Sequence, residues 1–104
     1  MAKGQDQTDG AVKERTDTRK QDPTLYKVLL INDDYSTMEF VIHVLETVFQ
    51  KSPAEAYRIM MQVHVNGHGV AGVYPWEVAE TKADQVRSLA SEAGFPLRAT
   101  IEEA

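Results

Sequence analysis

Cysteine is absent from the 104 residues, which removes disulfides, thiolate nucleophiles and thiolate zinc sites together. Long hydrophobic runs are missing too. No apolar stretch approaches the roughly 20 residues of a membrane span, and the N-terminus lacks the apolar segment of a secretory signal. A cytoplasmic protein with no membrane partner is therefore expected. Positive charge is in deficit: 11 Lys and Arg stand against 16 Asp and Glu, a net charge of −5. Nucleic-acid binding normally calls for a basic surface, so no nucleic-acid partner is expected. There is no internal repeat. What the chain does have is 42% hydrophobic residues, enough for the core of one small domain.

Those residues are unevenly placed. Residues 1–23 mix five acidic with five basic side chains and, before Pro23, hold only Met1, Ala2, Ala11 and Val12 as apolar members. Such a segment cannot bury enough surface to offset its ordering entropy. It reads as a disordered extension, leaving one domain over residues 24–104. From Leu25, the alternation of Tyr26, Val28 and Leu30 with Lys27, Leu29 and Ile31 predicts a strand. Ser36-Thr37-Met38-Glu39 has the form of a capping box and opens a helix carrying Phe40, Val41, Val44, Leu45 and Val48. Ser52-Pro53-Ala54-Glu55 is a second box with Pro at the first helical position. Its helix carries Ala56, Ile59, Met60 and Val63 and stops at Asn66-Gly67. A strand follows from Gly69 towards Ala79, with Pro75 at an edge or bulge. Thr81 as N-cap starts a helix over Lys82 to Ala93, ended by Gly94. Phe95, Leu97, Ala99 and Ile101 alternate as a last strand. The order β-α-α-β-α-β implies an α+β domain, a small sheet covered by helices.

The densest polar cluster is Asn32-Asp33-Asp34, between an apolar strand and a helix, where sites tend to sit. Asn and Asp are also turn formers that hydrogen-bond their own backbone, so a plain turn competes with a site. A phosphoryl-accepting receiver domain opens in a similar way, but it needs several more βα units and a later strand ending in Asp, and this chain has neither. His64 lies near the end of the second helix, where a histidine also suits the helix dipole. His64 and His68 stand four apart as zinc pairs do, but Asn66-Gly67 breaks the helix between them and no third ligand is evident, so neither metal nor cofactor is expected. An acid–base hydrolase built from Asp33, Asp34 and His64 lacks a recognisable nucleophile.

A set of short phrases is spread along the chain: Tyr26-Lys27-Val28, Asn32-Asp33-Asp34-Tyr35, Met38-Glu39-Phe40-Val41, Met60-Met61-Gln62-Val63-His64, Gly67 with Gly69, Gly72-Val73-Tyr74, Glu77-Val78-Ala79-Glu80-Thr81-Lys82 and Pro96-Leu97. In this order and spacing, over about Leu25 to Ala104, they resemble the ClpS family. That family comprises adaptors of the ClpA-type AAA+ protease in bacteria and of related machines in plastids. The resemblance implies a three-stranded antiparallel sheet covered by three helices, similar to the C-terminal domain of the ribosomal stalk protein. It implies no catalysis. It implies recognition of N-degrons, proteins beginning with Leu, Phe, Tyr or Trp, with the free α-amino group held by Asn32, one or both of Asp33 and Asp34, and His64. Ile31, Ser36, Met38, Val41, Met60, Val63 and Leu97 would line the side-chain pocket. Met38 matches a gate residue that disfavours β-branched first residues. Glu77 and Lys82 match positions that contact the N-terminal domain of the ATPase. A monomer is the expected state. The alternative is a regulator that occupies the ATPase without carrying cargo.

Overall fold

The architecture, in a computed structural model that describes residues 24–104, follows from where the chain can turn. The expected disordered extension, residues 1–23, lies outside the described residues. Strand β1 covers Leu25–Ile31 and helix α1 covers Met38–Thr47. Helix α2 spans Pro53–Asn66. Strand β2, His68–Pro75, runs directly into helix α3, Trp76–Ala93, and β3 closes the chain at Arg98–Glu103. The three strands form one antiparallel sheet in the order β2-β1-β3. β1 is thus central, and its last residue, Ile31, is paired with His68 on one side and Arg98 on the other.

The helices pack on one face of this sheet. Val28 and Leu30 of β1, Val44 and Leu45 of α1, Ile59 of α2 and Val86 of α3 have no more than 1% of their surface exposed and form one contiguous core. No polar or charged side chain of the described residues is buried, so hydrophobic burial drives the fold with no internal polar group to offset.

The helix boundaries depart from the sequence reading in two places. Ser36 is not the cap of α1: Thr37 is, its hydroxyl accepting from the Phe40 amide at 3.1 Å. Ser36 is drawn instead to Asp33, as described below. The strand expected to run to Ala79 ends at Pro75, and α3 starts at Trp76 rather than Lys82. The reason is a stripe of small residues. Ala79, Ala83, Val86 and Ala90 fall on one face of α3 and are all buried, which continues helical periodicity back through the segment read as strand. Thr81, expected as an N-cap, lies inside the helix with its hydroxyl donating to the Glu77 carbonyl one turn earlier, the usual alternative for a mid-helix threonine. Phe95 and Leu97, read as part of the last strand, precede it. The Phe95 ring packs against Phe40 at 4.8 Å between centroids, and Leu97 joins the core.

The second cap holds, without the reciprocal bond of a box, since the Glu55 carboxylate pairs with Arg58. Ser52 accepts from the Glu55 amide, with Pro53 in the first turn. Gly67 ends α2 at φ +89°, its amide donating to the Val63 carbonyl. Its own carbonyl accepts from the Asn32 amide at 2.9 Å, so this turn tethers the end of β1 to the end of α2. A Cβ at Gly67 would meet nothing within 4 Å, and the backbone angle alone penalises a side chain. Gly67→Ala should therefore cost about 1–2 kcal/mol, read as a lowered urea midpoint with unchanged slope. An unshifted midpoint would show that the left-handed backbone imposes no requirement for glycine.

Candidate functional site

Beyond Ile31 the chain leaves the sheet, and the next six residues build the rim of a cavity. Asp33 organises them. Its Oδ1 accepts from the amides of Tyr35 at 2.8 Å and Ser36 at 2.7 Å, and its Oδ2 accepts from the Ser36 hydroxyl at 2.8 Å. This is an Asx-type turn closed twice over. Partial burial, the largest single influence, works to raise the Asp33 pKa, but the Ser36 and Tyr35 donors and the charge of Arg98 outweigh it and hold the carboxyl below its ordinary value. With Asp33 committed to the turn, Asn32 and Asp34 are left exposed on either side of it.

The cavity behind this rim has a volume of about 270 Å³ and is lined by Asn32, Asp33, Asp34, Ser36, Met38, Val41, Met60, Val63 and His64. Helical spacing explains the gathering. Met38 and Val41 stand three apart on α1, and Met60, Val63 and His64 stand three and four apart on α2, so each set shares one face. The two faces meet across the loop. Val41, Met60 and Val63 are at most 6% exposed and make an apolar floor. Met38 is 48% exposed, at the first position of α1 and at the rim. His64 is exposed opposite the acidic loop. Gly69 lets β2 approach this wall: a Cβ there would lie 3.0 Å from Cγ2 of Val63.

Nine of the eleven residues expected at the amine site and pocket thus surround one space. Ile31 and Leu97 do not line it: Ile31 is paired within the sheet, and Leu97 is in the core. Asp33 points its oxygens into the loop rather than at His64, and the Ser36 hydroxyl is a donor to that carboxylate, so the acid–base–nucleophile relay of a hydrolase is not assembled. His68 sits on β2 outside the cavity lining. One residue that sequence reasoning passed over is Arg98, whose charge reaches Asp33. Only the β1–β3 register brings it there.

The two residues expected to meet an ATPase lie on α3. Glu77 is exposed in the first turn. The Lys82 ammonium donates to the Val48 carbonyl at 2.6 Å and to Oε1 of Gln50 at 2.9 Å, with Nζ 5.8 Å from the centre of the Tyr74 ring. It thereby satisfies the C-terminal end of α1, where a cation is favourable, and is fixed in place on the α3 surface. A larger groove, about 530 Å³, separates α1 from α3. It is lined by His43, Thr47, Thr81, Asp84, Gln85 and Ser88 among others, and its carboxylate, Asp84, is paired with Arg87. Size favours that groove, but acceptor chemistry and an apolar floor favour the smaller cavity. No helix among the described residues is long and apolar enough to cross a membrane.

Comparison with known proteins points the same way. A family profile described as ATP-dependent Clp protease adaptor protein ClpS matches residues 21–100. The chain is similar to the ClpS adapter of Wolinella succinogenes, 55% identical over 82 residues that cover 79% of this chain and 80% of the relative. It is 60% identical over 80 residues to the ClpS adapter of Desulfatibacillum aliphaticivorans, covering 77% of each. Among solved structures, Agrobacterium tumefaciens ClpS2 bound to L-phenylalaninamide superposes with a TM-score of 0.77 at 47% identity, covering 80% of this chain and all of the other.

The turn around Asp33 has a pH signature. Its carboxyl titrates lower in the folded chain than in the unfolded one, so its stabilisation is complete above the unfolded value, about pH 3.9, and is lost as pH falls through the folded value. Asp33→Asn should cost on the order of 1 kcal/mol at pH 7 by weakening three charge-assisted bonds. The gap between the two proteins in urea midpoint should close below about pH 4. A gap that stays constant down to pH 3 would refute this role.

Proposed function

This chain belongs to the ClpS family of Clp protease adaptors, and from that premise we propose that it captures proteins through an exposed N-terminal residue and delivers them to a ClpA-type AAA+ unfoldase. The observation that carries the reading is the joining of an apolar floor to an acceptor-rich rim in one cavity. The floor of Val41, Met60 and Val63 suits an apolar side chain, whereas Asn32, Asp33, Asp34 and His64 suit a cation with several N–H donors. A hydrophobic amino-terminal residue has both in adjacent positions. Its α-amine, with a pKa of about 7.7–8, is largely protonated at neutral pH. At about 270 Å³ the cavity falls below the ~300–1,000 Å³ of sites for drug-sized ligands. It is sized for one large side chain with its terminus.

The roles of the two acids divide. Asp33 spends three of its roughly four acceptor positions on the loop and contributes charge and shape. Asp34 and Asn32, both exposed at the rim, supply direct acceptors for the amine, with His64 completing the ring as a neutral acceptor or through water. Met38 at the rim closes over an unbranched or aromatic first side chain and crowds a β-branched one; its flexible thioether adapts to flat rings. Leu, Phe, Tyr and Trp are the favoured first residues. Glu77 and the anchored Lys82, both on α3, are the residues presented to the N-terminal domain of the ATPase. Residues 1–23 are the extension that the unfoldase engages during delivery. A cytoplasmic monomer is the working state.

Each charge-assisted bond is worth about 1.5–3 kcal/mol and burial of a Leu or Phe side chain about 1.5–3 kcal/mol. After the cost of association, low-micromolar or tighter binding follows, about −8 kcal/mol. Fluorescence anisotropy with a labelled peptide beginning with Phe should give that affinity. Acetylating its amine should weaken binding about 100-fold or more, and a first residue of Val should bind less well than Phe. Asp34→Ala should cost roughly 10- to 150-fold, the loss of one charged acceptor. Equal binding of the acetylated peptide would refute amine recognition. Failure of all peptides, with ATPase binding retained, would favour a regulator that carries no cargo.

A further inference from the structure

Three groups hold the Lys82 ammonium, and one of them belongs to an unusual residue. Gln50, two residues past the Val48 C-cap of α1, is the only non-glycine among the described residues with a positive φ, +53°. Glycine adopts such an angle after a helix without steric cost. The backbone alone therefore favours glycine at this position, and the side chain has to account for Gln. Its two amide ends make different bonds: Nε2 donates to the Thr47 carbonyl at 3.0 Å, and Oε1 accepts from the Lys82 ammonium at 2.9 Å. Reversing the amide would set an NH2 group against the ammonium, so both contacts select the same orientation. The Val48 carbonyl accepts from the same ammonium at 2.6 Å, and the Tyr74 ring centre lies 5.8 Å from it. That ring is itself confined: a Cβ on Gly72 would collide with it, and it stacks on Phe49 at 6.4 Å between centroids. Two of the three Lys82 donors are thus spent and one remains. A side chain that is ordinarily rich in rotamers is held in one place.

We infer that Gln50 is a positioning residue for the ATPase-binding surface: it orders the Lys82 ammonium in advance, so that the remaining donor and the charge meet a carboxylate of the partner already in place. The inference rests on the reading of Lys82 as an ATPase contact and adds the residue that prepares it. A loose lysine loses its rotamer freedom on docking, whereas one held by Gln50 and Val48 has lost it on folding. Gln50 is exposed, and exposed contacts to a charge have modest effects. The signature is therefore a weakened complex rather than an abolished one.

The test compares the unaltered full chain with Gln50→Gly and Lys82→Ala. Three quantities are read: the rate at which acetic anhydride acylates Lys82 relative to Lys27, the affinity for a ClpA-type ATPase, and the urea midpoint. Gln50→Gly should raise the acylation ratio by about two- to fivefold and weaken ATPase binding by a similar factor. Its urea midpoint should be kept, because glycine suits the left-handed backbone. An unaltered acylation ratio, whatever happens to the midpoint, would show that Gln50 serves only the helix end and overturns the inference. Unaltered binding by Gln50→Gly, with binding weakened by Lys82→Ala, overturns the positioning role and leaves Lys82 as a contact. Full binding by Lys82→Ala removes Lys82 from the ATPase surface, and the inference falls with that reading.

Discussion

The carboxylate of Asp33 is the constraint on which the rest of the site depends. It turns the chain sharply at the end of the central strand by gathering the Tyr35 amide, the Ser36 amide and the Ser36 hydroxyl. Because the turn is tight, Thr37 is delivered to cap α1, and Met38 and Val41 are aimed across at α2. Because Asp33 is occupied, its neighbours Asn32 and Asp34 remain exposed, and their side chains make no hydrogen bond among the described residues. The second tether, from the Asn32 amide to the Gly67 carbonyl, fixes the same loop against the end of α2, which carries Met60, Val63 and His64. One side-chain turn and one backbone tether thus hold the loop between the two helices that line the cavity.

This division separates a binding site from a catalytic one. A hydrolase would need a base aimed at a nucleophile and a place for developing negative charge. Here the Ser36 hydroxyl donates to a carboxylate that also accepts from two loop amides. The remaining polar groups are acceptors at a rim and the apolar groups a floor. That pattern suits the proposed reading, in which a ligand is chosen by charge and by side-chain shape, the two properties that an exposed N-terminal residue offers. It also suits a member of a family of Clp protease adaptors.

Much of this was legible in the sequence, and the gaps have physical causes. The order of elements followed from period-2 and period-3.6 patterns and from Ser52-Pro53 and Gly67. The start of α3 did not, because its buried stripe is made of Ala79, Ala83 and Ala90, whose small apolar signal was weaker than the cap-like appearance of Thr81-Lys82-Ala83-Asp84. Ser36 and Thr37 are equally plausible caps as residue types; the choice is made by Asp33, whose preference for Ser36 is a tertiary fact. Asn32-Asp33-Asp34 invited two competing readings, turn or site, and adjacent residues divide them: Asp33 makes the turn while Asn32 and Asp34 line the rim. Nothing in the sequence ties Lys82 to its partners, Val48 and Gln50, which are distant along the chain. The influence of Arg98 on Asp33 was invisible for the same reason, since it depends on strand register.

The central claim is that one small cavity, and not the larger groove between α1 and α3, takes an amino-terminal residue. An amide-resolved NMR titration with phenylalaninamide addresses it most directly, since that molecule has a free amine and one aromatic side chain. Shifts should concentrate on residues 32–38 and on Met60, Val63 and His64, and should be absent when the amine is acetylated. Shifts centred on His43, Thr47, Asp84 and Gln85, or persisting after acetylation, would contradict the account.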